Sequence, residues 1–137
     1  MKRMRLSSQV RGLVRKRAAG RCEYCHFPEA FAELGFQLDH VVALKHGGAH
    51  DAANLAFACY RCNSHKGPNL AGLDPTSRRV TRLFNPREDD WQDHFRWSGP
   101  RLVGKTAIGR ATIGALCCNR MDAVLVRRTL MEEGVEF

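Results

Sequence analysis

Cys22-Glu23-Tyr24-Cys25 and Cys59-Tyr60-Arg61-Cys62 bracket the stretch of sequence that decides this fold. Each is a Cys-x-x-Cys knuckle, and 33 residues separate the two. A tight turn inside a knuckle points both thiolates the same way. Two knuckles complete a tetrahedral site for zinc, which prefers soft thiolates and brings no redox chemistry of its own. Structural Zn2+ held by Cys22, Cys25, Cys59 and Cys62 is therefore expected. It closes a long loop that a small core cannot close alone. A redox pair, disulfides or unrelated buried thiols are the competing readings, and they suit a reducing compartment or a paired pattern less well. Cys117 and Cys118 are neighbours on a predicted helix, where two thiols do not easily chelate one ion, so at least one is core filling.

Working outward, Phe36 to Leu44 reads as a strand and Lys45 to Asn54 as a loop broken by Gly47-Gly48. Leu55 to Ala58 reads as a second short strand or turn, and Tyr60 to Lys66 as the start of a helix. Upstream, Ser7 or Ser8 caps a helix that runs to about Ala19 and stops at Gly20. Val10, Leu13 and Val14 share one face of it, while Arg11, Arg15 and Lys16 face elsewhere. The expected arrangement docks this helix on the domain with its basic face in solvent. Downstream the chain reads as irregular to about Thr76 and as a strand over Arg79–Phe84. Asp89 or Asp90 then caps a helical turn through Trp91–Phe95, followed by a hairpin over Trp97–Val103. Helices run from Thr106 to about Cys118 and from Met121 to Glu133. The class is α+β, with a basic arm and helix over 1–21, a core over 22–74 and a mostly helical extension over 75–137. His94, among Trp91, Phe95 and Trp97, is assigned to core packing rather than base stacking, and Arg127 and Arg128 to a solvated face.

The chain has 137 residues, room for one modest core. Its formal charge of +8 points to a polyanionic partner, most often nucleic acid. The charge is uneven: residues 1–21 hold eight basic side chains and no acid, residues 22–74 carry net −3 and residues 75–137 net +3. A mildly acidic centre flanked by basic segments suits a divalent-cation site facing phosphates. No apolar run, Val41-Val42-Ala43-Leu44 included, approaches the length of a transmembrane helix. No apolar region follows the basic N-terminus, which argues against a secretory signal. The expected setting is soluble, intracellular and cytoplasmic, with no membrane partner.

Between and just after the knuckles stand Asp39-His40, Gly47-Gly48-Ala49-His50-Asp51, Asn54-Leu55, and Asn63-Ser64-His65-Lys66-Gly67. Hydrolysing a phosphodiester needs a water made nucleophilic and a cation on the phosphoryl and leaving oxygens. A neutral imidazole suits the base near pH 7. His40 is the leading candidate, because a strand fixes its backbone at the centre of the motif. The spacing of these residues resembles that of the HNH endonuclease family in its zinc-knuckled branch, over residues 22–67. The segment from Leu83-Phe84-Asn85-Pro86-Arg87 through Trp91, His94-Phe95 and Trp97 to Gly109-Arg110-Ala111-Thr112 also looks like extensions of stand-alone bacterial and phage proteins of that family.

The resemblance implies a ββα-metal fold and a DNA endonuclease leaving 5′-phosphate and 3′-hydroxyl ends. It implies that His40 is the general base, that Asp39 and Asn63 hold a catalytic Mg2+ (or Mn2+ or another divalent ion), and that Asn54 bonds backbone across the loop to hold His40 in place. The family often has His where this chain has Asn63, and an amide oxygen suits hard Mg2+ better than imidazole does. His65 is a candidate phosphate or metal contact. Lys66, with the start of its helix, is expected to attract phosphate, as are Arg11, Arg15 and Lys16. His46 and His50 are read as loop residues. Two other functions fit parts of the pattern. A non-catalytic zinc-ribbon nucleic-acid-binding module needs only the cysteines and the charge. An RNA-directed nuclease of the same fold is not separated from a DNA enzyme by sequence, and nothing marks a dimer interface.

Overall fold

A computed structural model describes residues 6–137; most of the expected basic arm lies outside the described residues. In chain order the elements are α1 (Ser8–Arg17), β1 (Gln37–His40), β2 (Leu55–Ala58), α2 (Tyr60–Lys66), β3 (Ala71–Leu73), β4 (Val80–Arg82), α3 (Trp91–His94), β5 (Phe95–Ser98), β6 (Arg101–Gly104), α4 (Ala107–Ala115) and α5 (Met121–Glu132). The strands form three separate two-stranded antiparallel sheets, β1–β2, β3–β4 and β5–β6. The protein is a small α+β fold of short hairpins and helices.

Ser7 caps α1 by accepting from the Val10 amide. Of the apolar face, Val14 is fully buried, but Leu13 is 53% exposed. Val10 and Ala18 pack beside Val14 on the core, and one guanidinium adds a tie at the end of the helix. Arg17 donates to Ala52 O (3.0 Å) and Leu55 O (2.7 Å), tying α1 to the start of β2. Burial lowers the Arg17 pKa, with a further push from Arg87. Arg11, Arg15 and Lys16 remain exposed, and Arg15 pairs with Glu29 at 2.7 Å.

All four residues of β2 are buried, so this strand is the spine of the core. Its partner β1 stops at His40 rather than running to Leu44. The reason is local: the Asn54 side chain takes both the amide and the carbonyl of Val42, so the chain turns away from β2 there. Residues Leu44–His46 then form a 3-10 turn. The apolar run Val41–Leu44 is thus a bend with one buried side chain, Val41.

Strand β3 replaces part of the irregular segment expected before Thr76, while β4 falls within the strand expected over Arg79–Phe84. Gly72 lets the hairpin lie against α4: a Cβ there would sit 3.2 Å from Ala111 O and from the Ala115 Cβ. Asp74, fully buried, closes the hairpin turn by accepting from the amides of Thr76 (3.1 Å) and Ser77 (3.2 Å). It also pairs with Arg110 of α4. That guanidinium and the Ser77 bonds hold the Asp74 carboxyl well below the usual carboxylate range.

The C-terminal helices close the other side of the core. Trp91 donates its indole N–H to Tyr24 O (2.9 Å) and stacks on His26. Phe84, Phe95 and Trp91 pack around one another. Arg127 corrects the expectation of a solvated face. It is 3% exposed and donates to Pro100 O (2.7 Å), Cys118 O (2.9 Å) and Asn119 Oδ1 (3.2 Å), with its guanidinium over Trp97. The carbonyls left by the end of α4 and the β5–β6 turn need a donor, and Arg127 supplies it. Cys118 is buried as core filling, while α4 ends at Ala115 and Cys117 lies beyond it with φ 53°.

Candidate functional site

The two knuckles meet at the base of the β1–β2–α2 unit. Each is closed by an amide pointing at a sulfur, Cys25 N to Cys22 Sγ and Cys62 N to Cys59 Sγ. Cys59 is also the N-cap of α2. The sulfurs of Cys22, Cys25, Cys59 and Cys62 are buried and lie within 4.8 Å of one another. A tetrahedral zinc with bonds of about 2.3 Å places its sulfurs about 3.8 Å apart. The Cys25–Cys59 separation is 3.7 Å. The donor set and its spacing therefore fit structural zinc.

Above this cluster, Asp39, His40 and Asn63 line one groove of about 430 Å³, with Gln37, Lys45 and Gly67 among its other walls. Asp39 and His40 are successive residues of β1, opposite Ala56 and Leu55 of β2, so their side chains leave the strand on opposite faces. Asn63 lies in the first turns of α2, half-buried.

Asp39 is 4% exposed. Its carboxylate accepts from the Tyr24 hydroxyl at 2.7 Å and from the Lys66 ammonium at 3.1 and 3.3 Å. Burial pushes its pKa up, and Lys66 and Tyr24 pull it part of the way back. Lys66 is accordingly corrected: it is no phosphate ligand. It is 1% exposed, and its ammonium bonds Asp39, His40 O (3.1 Å) and Val41 O (3.1 Å). The helix turns this side chain inward because the end of β1 leaves carbonyls and a buried carboxylate that need a donor. His65, on the same helix, is half-buried and does not line the groove.

Lys66→Met leaves the Asp39 charge buried without its counter-ion. The expected loss of folding stability is about 3–5 kcal/mol, measured by urea unfolding at neutral pH. The sign of its pH dependence follows from the raised Asp39 pKa. The folded state then binds more protons than the unfolded chain, so stability falls as pH rises from the ordinary carboxylate pKa through the folded-state one. The deficit of Lys66→Met is expected to shrink in acid, where Asp39 is neutral.

Asn54 organises the loop between β1 and β2. Its amide donates to Val42 O (2.8 Å) and Ala49 O (2.7 Å), and its Oδ1 accepts from Val42 N (2.9 Å). Gly48 makes this possible by close approach. A Cβ there would sit 1.8 Å from Val42 O and 2.8 Å from Asn54 Nδ2. Gly48→Ala therefore forces the loop off Asn54. A loss of about 1–3 kcal/mol is expected from overpacking, measured by chemical denaturation.

The loop also brings His50 to His40. The two rings meet edge to edge, their planes 26° from parallel and their centroids 5.0 Å apart, with His40 Nε2 2.8 Å from His50 Nδ1. Reading His50 only as a loop residue missed this contact. Tyr24 was missed as well, since nothing in a knuckle marks its middle residue as the partner of a carboxylate 15 positions on. Glu23 bonds the Phe57 amide and pairs with Arg87, tying the first knuckle to β2 and to the following segment.

Comparison with known proteins adds three findings. The HNH endonuclease family model matches residues 22–69. The chain is 30% identical over 78 residues to the Septu protein PtuB of Bacillus thuringiensis, covering 57% of this chain and 28% of that protein. The matched part is thus little more than a quarter of that relative's length. No solved structure matches significantly. Among the described residues, no helix is long and apolar enough to cross a membrane. The matched segment begins at the first knuckle and ends just past α2, so the zinc-type cluster, the β1–β2 hairpin and the groove all fall inside the part of the chain that matches the HNH endonuclease family.

Proposed function

We propose that this chain is a metal-dependent endonuclease that hydrolyses phosphodiester bonds of double-stranded DNA. The observation that carries the proposal is that His40, Asp39 and Asn63 all line one groove within the segment that matches a nuclease family. The oxygen donors of Asp39 and Asn63 suit a hard divalent ion such as Mg2+ or Mn2+. A carboxylate offers about four lone-pair sites. Tyr24 and Lys66 engage two of them by hydrogen bonds, and Asp39 gives the ion what remains. When bound, the ion supplies positive charge for the phosphoryl and leaving oxygens.

The chain's own residues do the rest. His40 takes a proton from water as the water oxygen bonds phosphorus. The ester bond breaks with its electron pair on the 3′ oxygen, which is protonated to give a 3′-hydroxyl opposite a 5′-phosphate. Asn54 holds the end of β1 and so fixes where the imidazole stands. The exposed Arg11, Arg15 and Lys16 on α1 contact phosphates, which makes binding fall steeply with salt and carry little base reading.

The test is supercoiled plasmid incubated with the zinc-loaded protein and Mg2+ or Mn2+. Nicked or linear product is expected. Intact plasmid with every divalent ion tried overturns the proposal in favour of a non-catalytic binding module. Cleavage of single-stranded RNA in place of the plasmid reassigns the substrate.

A further inference from the structure

Outside the groove, the β3–β4 hairpin presents an exposed face of mixed character on a rigid turn. Asp74 N donates to Arg79 O (2.9 Å), and Asp74 O accepts from Arg78 N (2.8 Å). The Asp74 carboxylate adds Thr76 N, Ser77 N and the Arg110 guanidinium. Residues 75–80 are nevertheless all exposed. The turn holds Arg78 at φ 63°, in the left-handed region that is unfavourable for a residue with a Cβ and open to glycine.

Two kinds of side chain share this hairpin. Arg82 is occupied by Asp89, at 2.8 and 2.9 Å. Among the described residues, Arg78 and Arg79 form no salt bridge. Gly72 faces α4, so its neighbour Leu73 and the paired Val80 point the other way. Leu73 is 47% exposed and Val80 80%. The hairpin also stands beside the groove. Pro68 is part of the groove wall, and β3 begins at Ala71, a reach of at most about 11 Å along the chain. At the hairpin base, Leu70 and Arg82 share a small cavity with Val41 and Val42, which follow His40.

We propose that the outer face of the β3–β4 hairpin is a second docking surface for duplex DNA, with Arg78 and Arg79 on backbone phosphates and Leu73 and Val80 against the sugar edge of the minor groove. The inference takes its partner from the nuclease reading and extends it beyond the groove. Duplex DNA carries a charge about every 1.7 Å of its axis, so a duplex seated in the groove has phosphates to offer a hairpin this near. Arginines beside exposed aliphatic side chains are the mixture that minor-groove contacts use. A fixed turn presents them without the ordering cost that a loose loop meets on binding.

The test measures the affinity of the zinc-loaded full chain for a duplex oligonucleotide by fluorescence anisotropy, across a series of salt concentrations and without added Mg2+ or Mn2+. Arg78→Gly is expected to melt no lower than wild type, because glycine relieves the left-handed turn, and yet to bind about 10-fold more weakly, as for one charged hydrogen bond lost. Arg79→Ala is expected to lose as much. Each should lower the slope of log affinity against log salt by about 0.9, the share of one phosphate contact. Val80→Ser is expected to weaken binding with the slope unchanged, since an apolar contact releases no counterion. Arg128→Ala removes the same charge from α5, which does not line the groove, and should bind nearly as wild type. Wild-type affinity in the hairpin variants overturns the inference and leaves the apolar pair to a protein partner. An equal loss in Arg128→Ala overturns it as an effect of net charge. Plasmid left uncut by a chain that shows the expected losses overturns the nuclease reading alone.

Discussion

His40→Ala is expected to lower the cleavage rate constant by about 10²–10⁴-fold, the contribution of a positioned general base. The fold should survive, because β1 is held by backbone pairing with β2 and by contacts that do not involve the ring. Lys66 bonds the His40 carbonyl, not its imidazole, and Asn54 fixes Val41 and Val42 through their backbone. The thermal transition and the retention of DNA in a gel-shift assay are therefore expected to match wild type, while plasmid cleavage falls. Equal cleavage by the two proteins assigns the base elsewhere. A variant that neither folds nor binds shows that the ring is structural, which the half-buried position of His40 argues against.

Removing the zinc is expected to have the largest effect on the fold. The four sulfurs join the first knuckle, which carries Tyr24, to the N-cap of α2, which carries Asn63 and Lys66. Without a cation at the centre, four thiols this close repel or distort. Hydrogen bonds from Cys22, Cys25 and Cys62 push the Cys59 thiol down, while those with Cys22 and Cys59 push Cys25 up. Structural zinc contributes about 10–16 kcal/mol of apparent binding energy in small zinc-binding peptides at neutral pH, more than most domains have in total stability. Cys59→Ser, or a strong chelator, is thus expected to abolish cooperative unfolding by circular dichroism. Elemental analysis should find about one zinc per wild-type chain, the number one tetrahedral site holds. A Cys59→Ser chain that melts like wild type overturns the structural assignment.

The parts legible in the sequence were those set by short-range chemistry. The paired knuckles, the continuous apolar stretch of β2 and the start and end of α2 are each fixed by neighbours a few residues away. The caps Ser7, Asp90 and Thr106 are read in the same way. What the sequence hid was set by long-range donors and acceptors. β1 ends early because a side chain 12 positions downstream takes its backbone. Lys66 and Arg127 look like surface cations until the carbonyls they serve are brought to them by the fold. Strand β3 has too few β-forming residues to announce itself, and pairs with β4 where Gly72 and Asp74 fit the hairpin to α4. At the candidate site, residue types pointed to His40, Asp39 and Asn63. The contact between His40 and His50 depends on how the loop folds back, which no local pattern encodes.

The double grip of Asn54 has a mechanical consequence. One amide clasps the strand end that leads from His40 and the loop crown that leads into His50. The two imidazoles are thus yoked to a single pivot, so removing that one side chain is expected to unfasten the strand end and the loop crown together.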